Sequence, residues 1–314
     1  MIGAIRLLVV AIALVAGNAA AQGFTSNPLT LLCNCLPGSV THLYAQGFAK
    51  IAAKYLGKPV NLELASPGGG VTRRFVESAT RDGHSLFVHS INAFRIPYQE
   101  NVSWHPVKDF TYVIALARFE FGVVVKADSK FRTIGDVVEY ARANPSKFVY
   151  ATSSHGQTQH LAMEDLAYKT GVRFVSVHGT FEQSARALAE GRVMAIAEST
   201  VWGPYVDSGD FRLLVTFGEA RSRWKAPTAR ESGFDVLTYS PVGIVAPKGV
   251  DPARVKILHD AFNRALDDPE YDRLLRQFEM VDWYKSGDDY ADWAVDQFEF
   301  QRALLKRTIG LKRN

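Results

Sequence analysis

Polar and titratable side chains gather in a few short segments, each following an apolar run. The first is Pro37-Gly38-Ser39-Val40-Thr41-His42, and the second is His89-Ser90 with Asn92. The third is Thr152-Ser153-Ser154-His155-Gly156-Gln157-Thr158. His178 precedes Gly179-Thr180, and Glu198-Ser199-Thr200 completes the set. Hydroxyl, amide and imidazole donors suit a small anion. Backbone N–H groups at a helix N-terminus also hold anions, and the helix dipole helps them. A carboxylate can therefore be bound without lysine or arginine. Serine and threonine at such places can also simply cap the next helix. Their recurrence in several loops favours a shared binding cleft.

Five of the eight histidines, His42, His89, His155, His160 and His178, lie in or beside these loops. Imidazoles hydrogen-bond anions, sense pH or bind metals. With Cys33 and Cys35 nearby, a metal or metal-chelate site is an alternative. No pair, however, has a recognised ligand spacing. On a strand, Cα atoms two residues apart are separated by ~6.6 Å, the upper limit of disulfide geometry. A strained disulfide, two thiols and two metal ligands all stay open for this pair. The plainest role is that of small, partly buried residues at a strand end.

Enzyme signatures are missing. There is no Gly-x-Ser-x-Gly elbow, no His-Glu-x-x-His pair, no phosphate loop and no Gly-x-Gly-x-x-Gly. The triple glycine at 68–70 lacks nucleotide-loop spacing and reads as a tight turn. Ser154 with His160 has neither an orienting acid nor a strained elbow. The expectation is a binding protein without catalysis or cofactor.

The loops require strands before them and helices after them, and the apolar pattern supplies both. Runs at 29–35, 60–64, 85–89, 110–117 and 121–126 read as strands, and 42–56 and 71–81 as helices. The pattern then repeats. Helix 134–143 stops at Asn144-Pro145, strand 148–151 follows, and helix 158–170 ends at Gly171. Strand 174–177, helix 181–190 and strands 193–197 and 213–217 come next. Strand 242–246 leads into helices 252–267, 270–278 and 288–305. Such alternation predicts an α/β fold with mainly parallel sheets and ligand-facing loops at strand carboxyl ends. Two halves emerge: 22–124 completed by 241–314, and 125–240. The chain would cross between them near 124–127 and 239–245, forming a hinge beside a cleft.

The first 21 residues combine Arg6, a short apolar run at 7–16 and the small residues Ala19-Ala20-Ala21. This is the pattern of a cleaved secretory signal peptide, which implies a periplasmic protein. No later run has the 18 uninterrupted apolar residues of a membrane-spanning helix. The 314 residues are 47% hydrophobic and 22% charged, with a formal charge of +4. That is an ordinary globular composition. No long basic run or basic-aromatic stripe points to nucleic acid.

A series of short motifs resembles the solute receptors of the tripartite tricarboxylate transporter family, the Bug-type periplasmic receptors. Leu36-Pro37-Gly38-Ser39-Val40-Thr41 opens it, followed by Pro67-Gly68-Gly69-Gly70 and Arg81-Asp82-Gly83-His84-Ser85-Leu86. His105-Pro106-Val107-Lys108-Asp109-Phe110, Ala143-Asn144-Pro145-Ser146-Lys147 and Ala226-Pro227-Thr228 continue it. Gly243-Ile244-Val245-Ala246-Pro247-Lys248-Gly249 closes it. The resemblance spans about 28–308, and its order and spacing are more specific than any single motif. It implies a monomeric two-lobed Venus-flytrap receptor that takes a mono-, di- or aromatic carboxylate and delivers it to membrane transporter subunits. A ligand-sensing partner of a membrane sensor kinase would share these features. By position, the resemblance assigns ligand contacts to the loops named above. Ser39 and His42 stand where the family usually has glycine and an acidic residue, and His42 suits an acid without an amino group. His178-Gly179-Thr180 lies near the place of a usual Pro-Tyr-Lys-Gly turn.

Overall fold

The computed structural model describes residues 27–65, 69–238 and 240–310. The signal segment expected at 1–21 lies outside them, as do Pro67, Gly68 and Tyr239. The chain begins with β1 (Leu29–Cys33), α1 (Val40–Leu56), β2 (Val60–Leu64), α2 (Gly69–Ser78), β3 (Ser85–Ser90), α3 (Asn92–Gln99) and β4 (Phe110–Arg118). A second group follows: β5 (Phe121–Lys126), α4 (Ile134–Ala143), β6 (Phe148–Thr152), α5 (Thr158–Thr170), β7 (Phe174–His178), α6 (Phe181–Ala189), β8 (Ala195–Ser199), α7 (Gly203–Asp207) and β9 (Phe211–Thr216). The chain then returns through β10 (Pro241–Pro247), α8 (Pro252–Leu266), α9 (Pro269–Gln277), β11 (Val281–Ser286) and α10 (Gly287–Thr308).

Two lobes result, each built on one sheet. The first sheet has the order β11-β4-β10-β3-β1-β2, and the second β7-β6-β8-β5-β9. Both are mixed, whereas the sequence pattern predicts mainly parallel sheets. The helix-linked strands β1, β2 and β3 are parallel, as are β6, β7 and β8. β5 and β10 enter their sheets from the opposite lobe, so they run antiparallel to their neighbours. β5 belongs wholly to the second sheet, so the first crossover lies at Phe119–Glu120, earlier than the predicted 124–127. The return enters β10 through Ser240, whose carbonyl accepts from Phe119 N at 3.0 Å.

Register explains where the loops face. Ser90, at the end of β3, pairs with Val242 near the start of β10, and Pro241 pairs with Arg118 at the end of β4. β1 lies parallel to β3 and ends at the same side. In the second sheet, Ser199 at the end of β8 pairs with Phe121 at the start of β5. β6 and β7 end at that side too. The strand ends that carry the polar loops of both lobes therefore face each other beside the crossover.

Each sheet is covered on both faces. One face of the first sheet packs Tyr44 and Phe48 of α1 against Phe262 and Tyr271 of α8 and α9. The other packs Phe94 of α3 with Phe87, Phe110, Tyr112 and Tyr290. Burying such a side chain contributes about 1.5–3 kcal/mol. At Gly243 an added Cβ would meet the Tyr290 ring at 2.4 Å, so β10 needs glycine where α10 crosses it. In the second lobe, α4 and α5 cover one face around Phe148 and Met163. α6 and α7 cover the other around Trp202 and Leu188.

Three elements escape the sequence pattern: α3, the five-residue α7 and β11. α3 is eight residues long, carries Pro97 inside it and has no side-chain N-cap. Its helical form rests on burying Phe94 and Arg95. β11, VDWYKS, is a partly exposed edge strand.

The lobes also touch away from the crossover. Leu161 of α5 packs on Leu304 and Leu305 of α10. Arg307 of α10 donates to both Asp165 oxygens at 2.6 and 3.1 Å. On the opposite side Arg223 bonds Glu279, with Nε at 2.9 Å and Nη2 at 2.7 Å. At the crossover, Phe119 packs against the cores of both lobes. Arg118 and Glu120 are both buried beside it, 4.0 Å apart. Burial pushes the Glu120 carboxyl up, against the pull of Arg118.

Candidate functional site

The first-lobe loop after β1 is short and closes on itself. β1 stops at Cys33, the chain bends, and Cys33 bonds Cys35 with a Cα separation of 5.3 Å. The bend removes the extended spacing that argued against a disulfide. Both thiols are thereby taken from any metal site. Gly38 turns the chain with φ 79°. Ser39 is the N-cap of α1, its Oγ accepting from His42 N at 3.3 Å. His42 Nδ1 accepts from Gly38 N at 2.8 Å. Pro37 and Gly38 are exposed, and Ser39, Val40, Thr41 and His42 are half-buried. Leu36, 62% exposed, adds an apolar surface at the loop's start.

The second segment divides. Ser90 is half-buried and Asn92 exposed, at the facing end of the sheet. His89 is not in a loop. It is fully buried, with ring centroids 5.0 Å from Phe94 and 5.5 Å from Phe110 and Tyr112. Its Nδ1 lies 3.2 Å from the Tyr290 hydroxyl, and Nε2 has no partner among the described residues. Burial lowers its pKa to about 3, so the ring stays neutral. β3 is covered on both faces, and His89 is enclosed by Phe94, Phe110, Tyr112 and Tyr290, so its assignment as a ligand contact is corrected on that ground.

The second-lobe loops are joined by one carboxylate. Glu198, at the end of β8, accepts from Ser153 N at 3.2 Å and Ser199 N at 2.8 Å. Gln159 Nε2, in the first turn of α5, donates to both of its oxygens at 3.0 Å and also to Ser153 Oγ. Burial pushes the Glu198 carboxyl up, while these donors pull it down. Glu198 thus occupies the backbone N–H groups that an outside anion would use there. It organises the loop, which corrects its expected role as a ligand contact. Thr152 is also buried, with Oγ1 unpartnered among the described residues. Ser154, His155 and Gln157 are exposed, and Ser153 and Gly156 half-buried. Thr200 Oγ1 donates to Phe278 O of the other lobe at 3.4 Å.

Three imidazoles cluster at this end of the second lobe. Ring centroids of His155 and His160 are 4.7 Å apart, His160 and His178 5.5 Å, and His155 and His178 6.1 Å. His160 Nδ1 accepts from Gly156 N at 3.2 Å. Burial first, then His155 and His178, draw the His160 pKa down to about 4. Among the described residues no group of three or more His, Cys, Asp or Glu side chains is arranged to hold a metal ion.

Two side chains at this junction escape the motif reading, Gln159 and Arg95. Arg95 of α3 is buried, its Nε donating to Gln301 Oε1 at 2.7 Å and its Nη1 to Thr158 Oγ1 at 3.0 Å. The sequence signal for it is one cation in the apolar stretch 91–97.

The fold matches that of known receptors. A solved TctC solute binding protein from Polaromonas superposes with a TM-score of 0.78 over 90% of this chain and 99% of that one, at 22% identity. R. palustris Rpa4515, solved with adipate, superposes with a TM-score of 0.74 over 91% of this chain and 98% of its own, also at 22% identity. A UPF0065 protein of Cupriavidus necator, in the gbd 5' region, is 38% identical over 298 residues, covering 94% of this chain and 91% of its own. The family model described as the tripartite tricarboxylate transporter family receptor matches residues 45–311, from within α1 to past the end of α10. With its two mixed sheets and facing polar loops, the chain belongs to that family of solute receptors.

Proposed function

We propose that the protein is a periplasmic receptor that captures a small carboxylate between its lobes and delivers it to a tripartite tricarboxylate-type membrane transporter. The observation that carries this is the facing of donor-rich strand-end loops across the crossover, Ser39–His42 and Ser90–Asn92 opposite Ser153–Thr158. Rpa4515, which shares the fold, was solved with adipate, and this supports an organic acid as the solute class. A ligand touching both lobes binds the closed form better than the open one. That difference in affinity shifts the population toward closure, and closure is the signal a membrane partner reads. The reading involves no catalysis and a monomer in solution.

A thermal-shift screen of the secreted protein against mono-, di- and tricarboxylates, aromatic acids, amino acids and divalent metals tests it. A ligand at a hundredfold excess over its Kd adds about 2.7 kcal/mol to stability. A rise in Tm with one class of acid is expected. Rises with metals alone, or with no acid, would overturn the function.

A further inference from the structure

Arg95 is 2% exposed, yet no described carboxylate pairs with it. Its two bonded acceptors, Gln301 Oε1 and Thr158 Oγ1, are neutral. Its remaining nitrogen, Nη2, bonds to none of the described residues. Burial, with no opposing charge, draws the guanidinium pKa down to about 9. The acids of the neighbouring helices are turned elsewhere. Asp165 is held by Arg307 and Lys169, Glu164 stands beside His160, and Glu299 pairs with Arg302.

What Arg95 faces is also electropositive. Thr158 is the first residue of α5, and the N-cap Gln157 makes no side-chain bond to the first-turn amides. A helix start carries the equivalent of about +0.5 charge. By contrast α1, α4 and α6 are each capped by a hydroxyl, and α8 and α9 by aspartate. A buried cation and an uncapped helix start therefore meet across the lobe boundary, and the carboxylate beside that first turn, Glu198, is held by Ser153 N, Ser199 N and the Gln159 amide and not by Arg95. Such an arrangement is unfavourable in the empty protein. One negative group would satisfy both sides, and a carboxylate matches the guanidinium fork.

We propose that a carboxylate of the ligand binds between Arg95 of the first lobe and the first turn of α5 of the second. This anchor presupposes the carboxylate-receptor function and adds the residue that grips the anion. Because the two halves of the anchor belong to different lobes, the bound acid draws the lobes together.

The test uses the secreted chain, Arg95→Met and Gln157→Asp, titrated calorimetrically with adipate, malate, citrate and benzoate. Wild type binds at least one of these acids. Arg95→Met loses about 50-fold or more in affinity for it, over and above the fall in ligand-free Tm that the lost Gln301 and Thr158 bonds bring. A purely structural arginine would lower the Tm in the same way but leave the affinity of the folded fraction unchanged. Gln157→Asp supplies the missing anion from within, so its ligand-free Tm rises and acid binding is lost. Affinity within about threefold of wild type in either variant would overturn the anchor and leave the receptor function standing. Failure of wild type to bind any of the acids, together with no Tm rise in the wider acid screen, would overturn both.

Discussion

The loop after β1 and the loop after β6 have similar compositions and opposite habits. In the first, Ser39, His42 and Gly38 satisfy one another within five residues. In the second, the partners come from afar. Ser153 bonds Glu198, 45 residues on, and Thr158 accepts from Arg95, 63 residues back. A loop that closes on itself keeps its shape when the lobes move. A loop whose bonds cross the boundary between lobes depends on how they sit. The first loop is thus held by its own residues, and the second by Glu198 of its own lobe at Ser153 and by Arg95 of the other lobe at Thr158.

The sharpest way to break this contrast is Glu198→Ala. It strands the Ser153 and Ser199 N–H groups and the Gln159 amide at once, so the expected loss is about 3 kcal/mol in urea unfolding. Arg307→Ala leaves Asp165, buried beside α10, with only Lys169 at 3.4 Å. A loss of about 2 kcal/mol is expected, with faster proteolysis near α10. Ser39→Ala removes a local cap alone. It should cost about 1 kcal/mol in the same unfolding measurement. An equal loss for Ser39→Ala and Glu198→Ala would dissolve the distinction between the two loops.

The smallest expected effect is one of pH. The His160 pKa is lowered in the fold, by burial first and then by His155 and His178, while Glu164 Oε1 stands 3.8 Å from Nε2. The unfolded chain therefore binds the proton more readily. The contribution of a neutral His160 is full above about pH 6.5 and is lost as pH falls toward about 4. His160→Asn should flatten the Tm-against-pH curve in that window, read by circular dichroism. An unchanged slope would assign the acid sensitivity to other groups, His89 first among them.

Much of the fold was legible because it is local. Helices 134–143 and 158–170 match the observed α4 and α5 in both bounds, since Asn144-Pro145 and Gly171 end them by backbone conformation. α3 was not legible. Its eight residues include Pro97, and only the packing of Phe94 on Trp293 and of Arg95 on Gln301 makes a helix of them. Among the loop residues, Ser39 was legible as a cap. His89 and Glu198 were not, because both strands are buried on both faces and the burial of a strand end depends on what packs over it.

The sequence by itself determined the alternation of strands and helices, the polar strand-end loops and the motif series of the receptor family. Each depends on neighbours within a few residues or on order along the chain. Only the tertiary structure decided that β5 and β10 run antiparallel, that Cys33 and Cys35 are bonded, and that Glu198 serves its own loop. It also decided that Arg95 meets the start of α5. The Cys33–Cys35 bond depends on a local bend; the others depend on groups brought together from tens of residues apart, where burial sets the strength of a charge and its partner is chosen by the fold.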